Sequence, residues 1–167
     1  MADKMVFGTF ASRHDADTFL DKIKQRNVDI NEVSIIVKDK KMVNDLKSTS
    51  DVEASKGTGI GAGSGAVTGG IIGLLGAAAL LPGVNLFAVG PLVSLLAGAG
   101  IGAVSGGIVG ALVGLGISEQ QARSFADKVE EGQILIAVPE DQLNGSELKD
   151  IFEKANATDK REISVNA

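Results

Sequence analysis

The chain has no cysteine, no tryptophan, no tyrosine and a single histidine among its 167 residues. Without cysteine it has no disulfide, no thiolate ligand for zinc and no cysteine nucleophile. Basic residues are also in the minority, with 16 lysines and arginines against 21 acidic residues, and they form no basic stripe. Because phosphate backbones are bound by clustered lysine and arginine, the net charge of −5 argues against a nucleic-acid partner.

Groups suited to catalysis are equally scarce. The lone His14 lies in SRHDAD at the start of a predicted helix, where we expect it to be solvated, and no second group is positioned by sequence to work with it. The carboxylate pairs Glu130-Glu131 and Glu140-Asp141 are adjacent residues, whose side chains point apart. The glycines of GTGIGAG follow no strand and precede no lysine, unlike a phosphate-binding loop. The sequence therefore predicts a protein that is not an enzyme, with no catalytic residue, no cofactor and no metal site.

Charge is missing from one long stretch of the chain. All 37 aspartate, glutamate, lysine and arginine residues lie in residues 1–56 or 119–167. Residues 57–118 are therefore 62 consecutive positions without a formal charge. An ordinary solvated loop does not have this composition.

Glycine recurs at every fourth position in two parts of this uncharged stretch, which we call the glycine ladders. In water, each glycine destabilises a helix by about 1 kcal/mol relative to alanine. In a membrane, the glycines open a groove in which a second helix packs at short range. We therefore predict that the ladders mediate self-association and that the chain forms homo-oligomers. The ladders are Gly57, Gly61, Gly65, Gly69 and Gly73, and Gly98, Gly102, Gly106, Gly110 and Gly114.

The two ladders lie on two arms, residues 57–81 and 92–117, each longer than the roughly 20 residues that cross the hydrocarbon layer as a helix. Pro82-Gly83 and Gly90-Pro91 bracket a predicted turn between them. We predict a glycine-zipper helical hairpin inserted in a lipid bilayer. The turn is uncharged and lysines lie near the flanks, so the protein is expected at the cytoplasmic membrane with its soluble domain and both termini in the cytoplasm. A hairpin buried in a protein assembly is the alternative, because glycine and alanine make each arm only marginally hydrophobic.

The charged flanks each show a β-α-β pattern, with similar sequences in the second part of each half: FLDKIKQRN before VSIIV and LKDIFEKAN before EISV. Two such halves pair most economically into one four-stranded antiparallel sheet with helices on one face. The predicted fold class is α+β, in the ferredoxin-like arrangement. The predicted elements are strands at 5–10, 33–37, 133–138 and 162–165, a helix after the N-cap Ser12 and a helix at 146–156.

A further helix is predicted at residues 118–132, between the uncharged stretch and the second half. Ser118 and Gln121 have the spacing of a capping box, and Gly132 is placed to end the helix. We expect this helix to couple the hairpin to the sheet. The predicted organisation is a first half at 1–39, a linker at 40–56, the hairpin at 57–117, and a capped helix plus second half at 118–167 that completes one domain with 1–39.

Three motifs connect the chain with a known family: GTF with the following Asp15-Ala16, the VGLGI-SEQQAR junction at residues 113–123, and EEGQILIAV at residues 130–138. In this order, around a Gly/Ala-rich insert, they resemble the bacterial general-stress and low-temperature-induced proteins, usually described as membrane proteins of unknown function. The resemblance covers nearly the whole chain. It implies stress association and membrane location, and it brings no catalytic residue with it.

Three functions follow as hypotheses. The first is a non-enzymatic, stress-associated membrane protein that self-associates through its hairpin. The second is a soluble assembly-forming protein, with the hairpins as the buried core of a ring, filament or shell. The third is a small-ligand sensing module, which rests on analogy with other paired β-α-β folds.

Overall fold

A computed structural model describes residues 2–38, 79–81, 86–92, 108–110 and 112–166. Residues 91–92, 108–110 and 112–114 are also helical. In chain order the main elements are β1 (Ala2–Phe10), α1 (Arg13–Gln25), a 3-10 turn (Ile30–Glu32), β2 (Ser34–Val37), β3 (Ala79–Leu81), β4 (Leu86–Val89), α2 (Glu119–Glu130), β5 (Ile134–Pro139), α3 (Gly145–Lys154) and β6 (Asp159–Asn166).

The strands form one sheet in the order β3-β4-β2-β5-β1-β6, and every neighbouring pair is antiparallel. The predicted α+β class with an antiparallel sheet is confirmed. The predicted number of four strands is wrong, because the uncharged stretch adds β3 and β4 beside β2. Without β4, that edge of β2 would present a row of unpaired backbone groups.

The two β-α-β halves interleave within this sheet. Strand β5 of the second half lies between β2 and β1 of the first, and β1 lies between β5 and β6 of the second. The register is long on both sides of β1, with six residue pairs to β5 and eight to β6. Neither half therefore has its own two strands side by side.

Helices cover both faces of the sheet: the helices of the two β-α-β halves share one face, as predicted, and the additional helix that follows the uncharged stretch covers the other. Helices α1 and α3 pack on one face, and α2 packs on the other. The physical reason lies in strands such as β5, where Ile134, Ile136 and Val138 belong to one core and Leu135 and Ala137 to the other. A strand that is apolar at every position needs a cover on each side.

These two faces define two cores. The first core comprises Val6, Phe10, Ala16, Phe19, Leu20, Ile23, Val28, Val33, Ile35, Val37, Ile134, Ile136, Val138, Leu148, Ile151, Phe152 and Ala155. The second core comprises Met5, Phe7, Ile36, Ala88, Leu92, Ile108, Leu112, Leu115, Ile117, Ala122, Phe125, Ala126, Val129, Leu135, Ala137, Ile163 and Val165.

Local hydrogen bonds define both ends of each main helix. The N-cap residues Ser12, Ser118 and Asn144 each accept a hydrogen bond from the backbone N–H three positions on. At the carboxyl ends of α1, α2 and α3, Asn27, Gly132 and Asn156 adopt positive φ angles of 61°, 93° and 60°. A left-handed residue at this position lets the following N–H groups bond back to the last turn. The predicted helix capped by Ser118 and ended by Gly132 is confirmed.

Candidate functional site

The candidate site is the place where the uncharged stretch meets the sheet. Strand β4 pairs with β2 through Ile35–Val89, Ile36–Ala88 and Val37–Phe87, and β3 pairs with the outer edge of β4. The prediction that residues 79–81 end a helical arm and that residues 82–91 form only a turn is wrong at the described positions. LFAV is a four-residue apolar run bounded by Pro-Gly and Gly-Pro, which is a strand pattern that the sequence analysis missed.

Gly90 and Ser34 fix the end of β4 against β2. Gly90 has a φ of +95°, and a Cβ built there would lie 2.2 Å from the carbonyl oxygen of Val33. Only glycine fits this close approach without strain. Two residues on, the N–H of Leu92 donates a 3.0 Å hydrogen bond to the buried Oγ of Ser34. The Gly-Pro pair predicted to close a turn therefore attaches the chain to the sheet.

The carboxyl-terminal part of the stretch also packs on the sheet. Ile108, Leu112, Leu115 and Ile117 are each at most 6% exposed and belong to the second core. This contact was not predicted, since charge-free sequence gave no contrast between a lipid-facing side chain and a core side chain. The spacing of these four residues, at three to four positions up to Leu115, was the available signal.

The VGLGI-SEQQAR motif is the junction between this packed segment and α2. The N–H of Ile117 bonds to the carbonyl of Leu112, and that of Gly116 (φ 88°) bonds to the carbonyl of Val113. These two bonds are those of a Schellman ending, in which the apolar residue after the glycine packs back on the helix. Ser118 then caps α2 directly. The motif therefore encodes a tight helix-to-helix corner.

Two residues of the predicted self-association site lie within the described residues. Gly110 is half-buried and Gly114 is exposed, and both are helical. Gly114 is two positions from Leu112, which is roughly 200° around a helix of 3.6 residues per turn, so Gly114 faces away from the sheet. Val113, on the outer side, is 41% exposed. The eight positions outside the described residues are Gly57, Gly61, Gly65, Gly69, Gly73, Gly98, Gly102 and Gly106.

Two ion pairs link α2, which covers the second core, to the sheet. Lys38, just after β2, forms an ion pair with Glu130 at the end of α2. Asp159 on β6 accepts a 2.7 Å hydrogen bond from Lys128 of α2 and a 3.2 Å bond from Arg161. Partial burial raises the pKa of Asp159, but the hydrogen bonds and charges of Lys128 and Arg161 outweigh burial and hold that pKa below its usual value. The Lys38–Glu130 pair therefore connects α2 to the end of β2, and the Lys128–Asp159 pair connects α2 to β6.

Most of the groups considered for catalysis are in contact with solvent. His14 and the carboxylates Glu130, Glu131 and Asp141 are exposed, and Glu140 is half-buried. Beside His14, the hydrogen bonds from Ser12 and then Asn156 lower the pKa of Asp15, as helix-capping contacts do.

Within residues 2–38 and the later described ranges, no three metal-ligating side chains come together. In the same part of the chain, no helix has both the length and the apolar character to cross a membrane.

Comparison with known proteins identified no similar protein. No family model, curated protein or solved structure matches the chain. The features of this chain that indicate a function are the uncharged stretch and its contacts with the sheet.

Proposed function

We propose that the protein is a non-enzymatic, stress-associated protein of the cytoplasmic membrane that self-associates through its glycine ladders. The observation that carries this proposal is the 62-residue uncharged stretch with two ladders of five glycines each. Helices with glycine at every fourth position pack closely in lipid, where the usual hydrophobic drive between helices is absent. Stress association rests on the family resemblance of the flanking motifs.

The soluble part is proposed to be a ferredoxin-like domain that displays cytoplasmic surfaces for structural or regulatory contacts. Support comes from the order β2-β5-β1-β6 of the four strands from the two β-α-β halves, with α1 and α3 on one face. The uncharged stretch is then an insertion between the halves. Its exposed Gly114 lies on the side that faces away from the sheet, where a second helix would pack.

A soluble assembly is the second candidate, and one observation favours it. Residues 86–92 and 108–117 contribute buried side chains to the second core, so part of the uncharged stretch is already covered by protein. In that function the remaining uncharged residues would pack between copies of the chain. Large particles that stay soluble without detergent are its signature.

Fractionation of cells with point variants separates the two candidates. Deleting residues 57–118 would also remove β4 and six side chains of the second core, so one introduced charge is the cleaner change. Arginine within the hydrocarbon region of a membrane helix costs up to about 3 kcal/mol, the value at the helix centre. We expect the natural chain to stay in carbonate-washed membranes and Leu75→Arg to lose much of that retention.

The matched control is Gln25→Arg, which adds the same charge at an exposed position of α1. It should leave the membrane fraction unchanged. If the natural chain is found as large particles in the soluble fraction, the membrane function is wrong and the assembly function replaces it.

A further inference from the structure

The position of β4 conflicts with a hairpin that crosses a bilayer. In such a hairpin, residues 82–91 lie at the far side of the membrane from the cytoplasmic domain, across about 30 Å of hydrocarbon. In the structure, Ile36–Ala88 and its two neighbouring pairs hold β4 on β2 of that same domain. Both arrangements cannot exist in one molecule at the same time.

The number of residues between the two segments packed on the sheet is also too small for a second arm that crosses the bilayer. Between Leu92, which is bonded to Ser34, and Ile108, which lies in the second core, there are 15 residues. As a helix they would extend about 22 Å at 1.5 Å per residue, short of the hydrocarbon thickness. A second arm long enough to cross must therefore take residues from one of the segments packed on the sheet.

The β2–β4 pairing is the contact whose loss disturbs the domain least. It consists of three residue pairs near one end of the sheet, and β2 keeps its other neighbour, β5. Among the described residues, the uncharged stretch touches the first core only through the partly buried Val89. Residues 108–117, in contrast, continue directly into α2 through a capped corner. The first core and the strands β2-β5-β1-β6 can therefore persist when β4 leaves.

We infer that the protein has two states, a docked state in which β4 is paired with β2 and a membrane-inserted state in which that pairing is open. The inference rests on the proposed membrane function and adds a condition to it. Opening exposes the edge of β2 and the Oγ of Ser34, and it frees residues 79–92 to join the arms and the turn of the hairpin. Insertion is then limited by release from the sheet as well as by the apolar character of the arms.

A reversible disulfide across the pairing tests this inference, and the absence of natural cysteine makes the experiment clean. Ile36→Cys with Ala88→Cys joins two directly opposite residues whose side chains lie in the same core. Ile35→Cys with Val89→Cys joins the adjacent pair. Adjacent antiparallel pairs alternate between the hydrogen-bonded and non-hydrogen-bonded types, which differ in the distance between their Cα atoms. One of the two variants therefore has the shorter distance and the other the longer distance across which a disulfide would form.

Purified full chain is mixed with phosphatidylcholine–phosphatidylglycerol vesicles, which are then washed with carbonate and sedimented. We expect the oxidised double variants to bind about tenfold less than the same variants after reduction, with the natural chain and single Ala88→Cys unaffected by reductant. Far-ultraviolet circular dichroism checks that each variant is folded before mixing.

Two other results are each decisive. Equal insertion of the oxidised and reduced forms would overturn the two-state inference and leave the membrane function standing. If the natural chain itself does not bind the vesicles, the proposed membrane function falls and the inference falls with it.

Discussion

Gly8, near the carboxyl end of β1, shows how a single missing side chain organises the first core. A Cβ at this position would lie 2.3 Å and 2.4 Å from two ring carbons of Phe152. The ring cannot move away easily, because it stacks on Phe19 at 4.0 Å and lies 5.7 Å from Phe10 between ring centroids. The GTF motif noted in the sequence is therefore a packing requirement between β1 and α3.

We predict that Gly8→Ala lowers the free energy of unfolding by about 2–3 kcal/mol, the cost of forcing a methyl group against the ring of Phe152. With no tryptophan or tyrosine in the chain, urea unfolding is best followed by far-ultraviolet circular dichroism. The control is Phe152→Leu, in whose background Gly8→Ala should cost clearly less, because the ring that it meets is gone. An equal cost in both backgrounds would show that the clash is not the cause.

At the scale of elements, α2 and β6 are joined by the charges of Lys128, Asp159 and Arg161. The carboxylate of Asp159 is only 17% exposed, and its pKa is lowered in the folded protein. Because the folded pKa is below the unfolded value of about 3.9, the ionised group stabilises the fold above about pH 4. That stabilisation disappears as the pH falls through the folded-state pKa.

We therefore predict that Asp159→Asn lowers the free energy of unfolding by about 1–2 kcal/mol at neutral pH, which is the range for a charge-assisted bond that is partly screened by solvent. The difference from the natural chain should shrink towards zero as the pH falls below about 4. Asp127→Asn, at an exposed position of α2, is the control and should change stability little. Unfolding curves from pH 3 to pH 7, roughly, provide the measurement. A loss for Asp159→Asn that does not depend on pH would contradict the ionic explanation.

Most elements could be predicted because their signals are local. Helix α2 follows from its capping box and from its apolar stripe, and α1 and α3 follow from the same kinds of pattern. Strand β6, predicted at 162–165, extends over Asp159–Asn166, since its polar ends gain pairing with β1 rather than burial. Strand β4 was not predicted because the proline-glycine pairs on both sides of Leu86–Val89 indicated a turn, although the apolar run between them is itself a strand signal.

At the scale of the whole molecule, the candidate site could be predicted only in part. The sequence identified the uncharged stretch and its glycine spacing, because both depend only on which residues occur and in what order. It did not identify the docking of residues 86–92 and 108–117, because a side chain buried against a sheet and one buried in lipid require the same apolar composition. The difference between these two environments depends on contacts that are distant in the chain, such as that of Leu92 with Ser34.

The glycine ladders lead to a prediction about assembly. Gly65→Leu or Gly106→Leu places a branched side chain in the groove where a second helix would pack, and we expect the oligomer to dissociate about tenfold more readily. Sedimentation velocity in a mild detergent measures the distribution. Ala66→Leu and Ala103→Leu, which add similar bulk beside the ladders, should shift it much less. If all four variants sediment like the natural chain, the ladders do not hold the oligomer together.

The interleaved order of the strands also determines when the domain can form during synthesis. Strands β1 and β2 are held apart by β5, so the first half has no sheet of its own to complete. Because β5 follows the uncharged stretch in the chain, all 62 uncharged residues are translated before the strand that closes the central sheet. A ribosome adding roughly 5–20 residues per second leaves several seconds in which the nascent stretch meets its surroundings without a finished domain beside it. The uncharged stretch can therefore contact a bilayer before β5 has been made and before the sheet that binds β4 is complete.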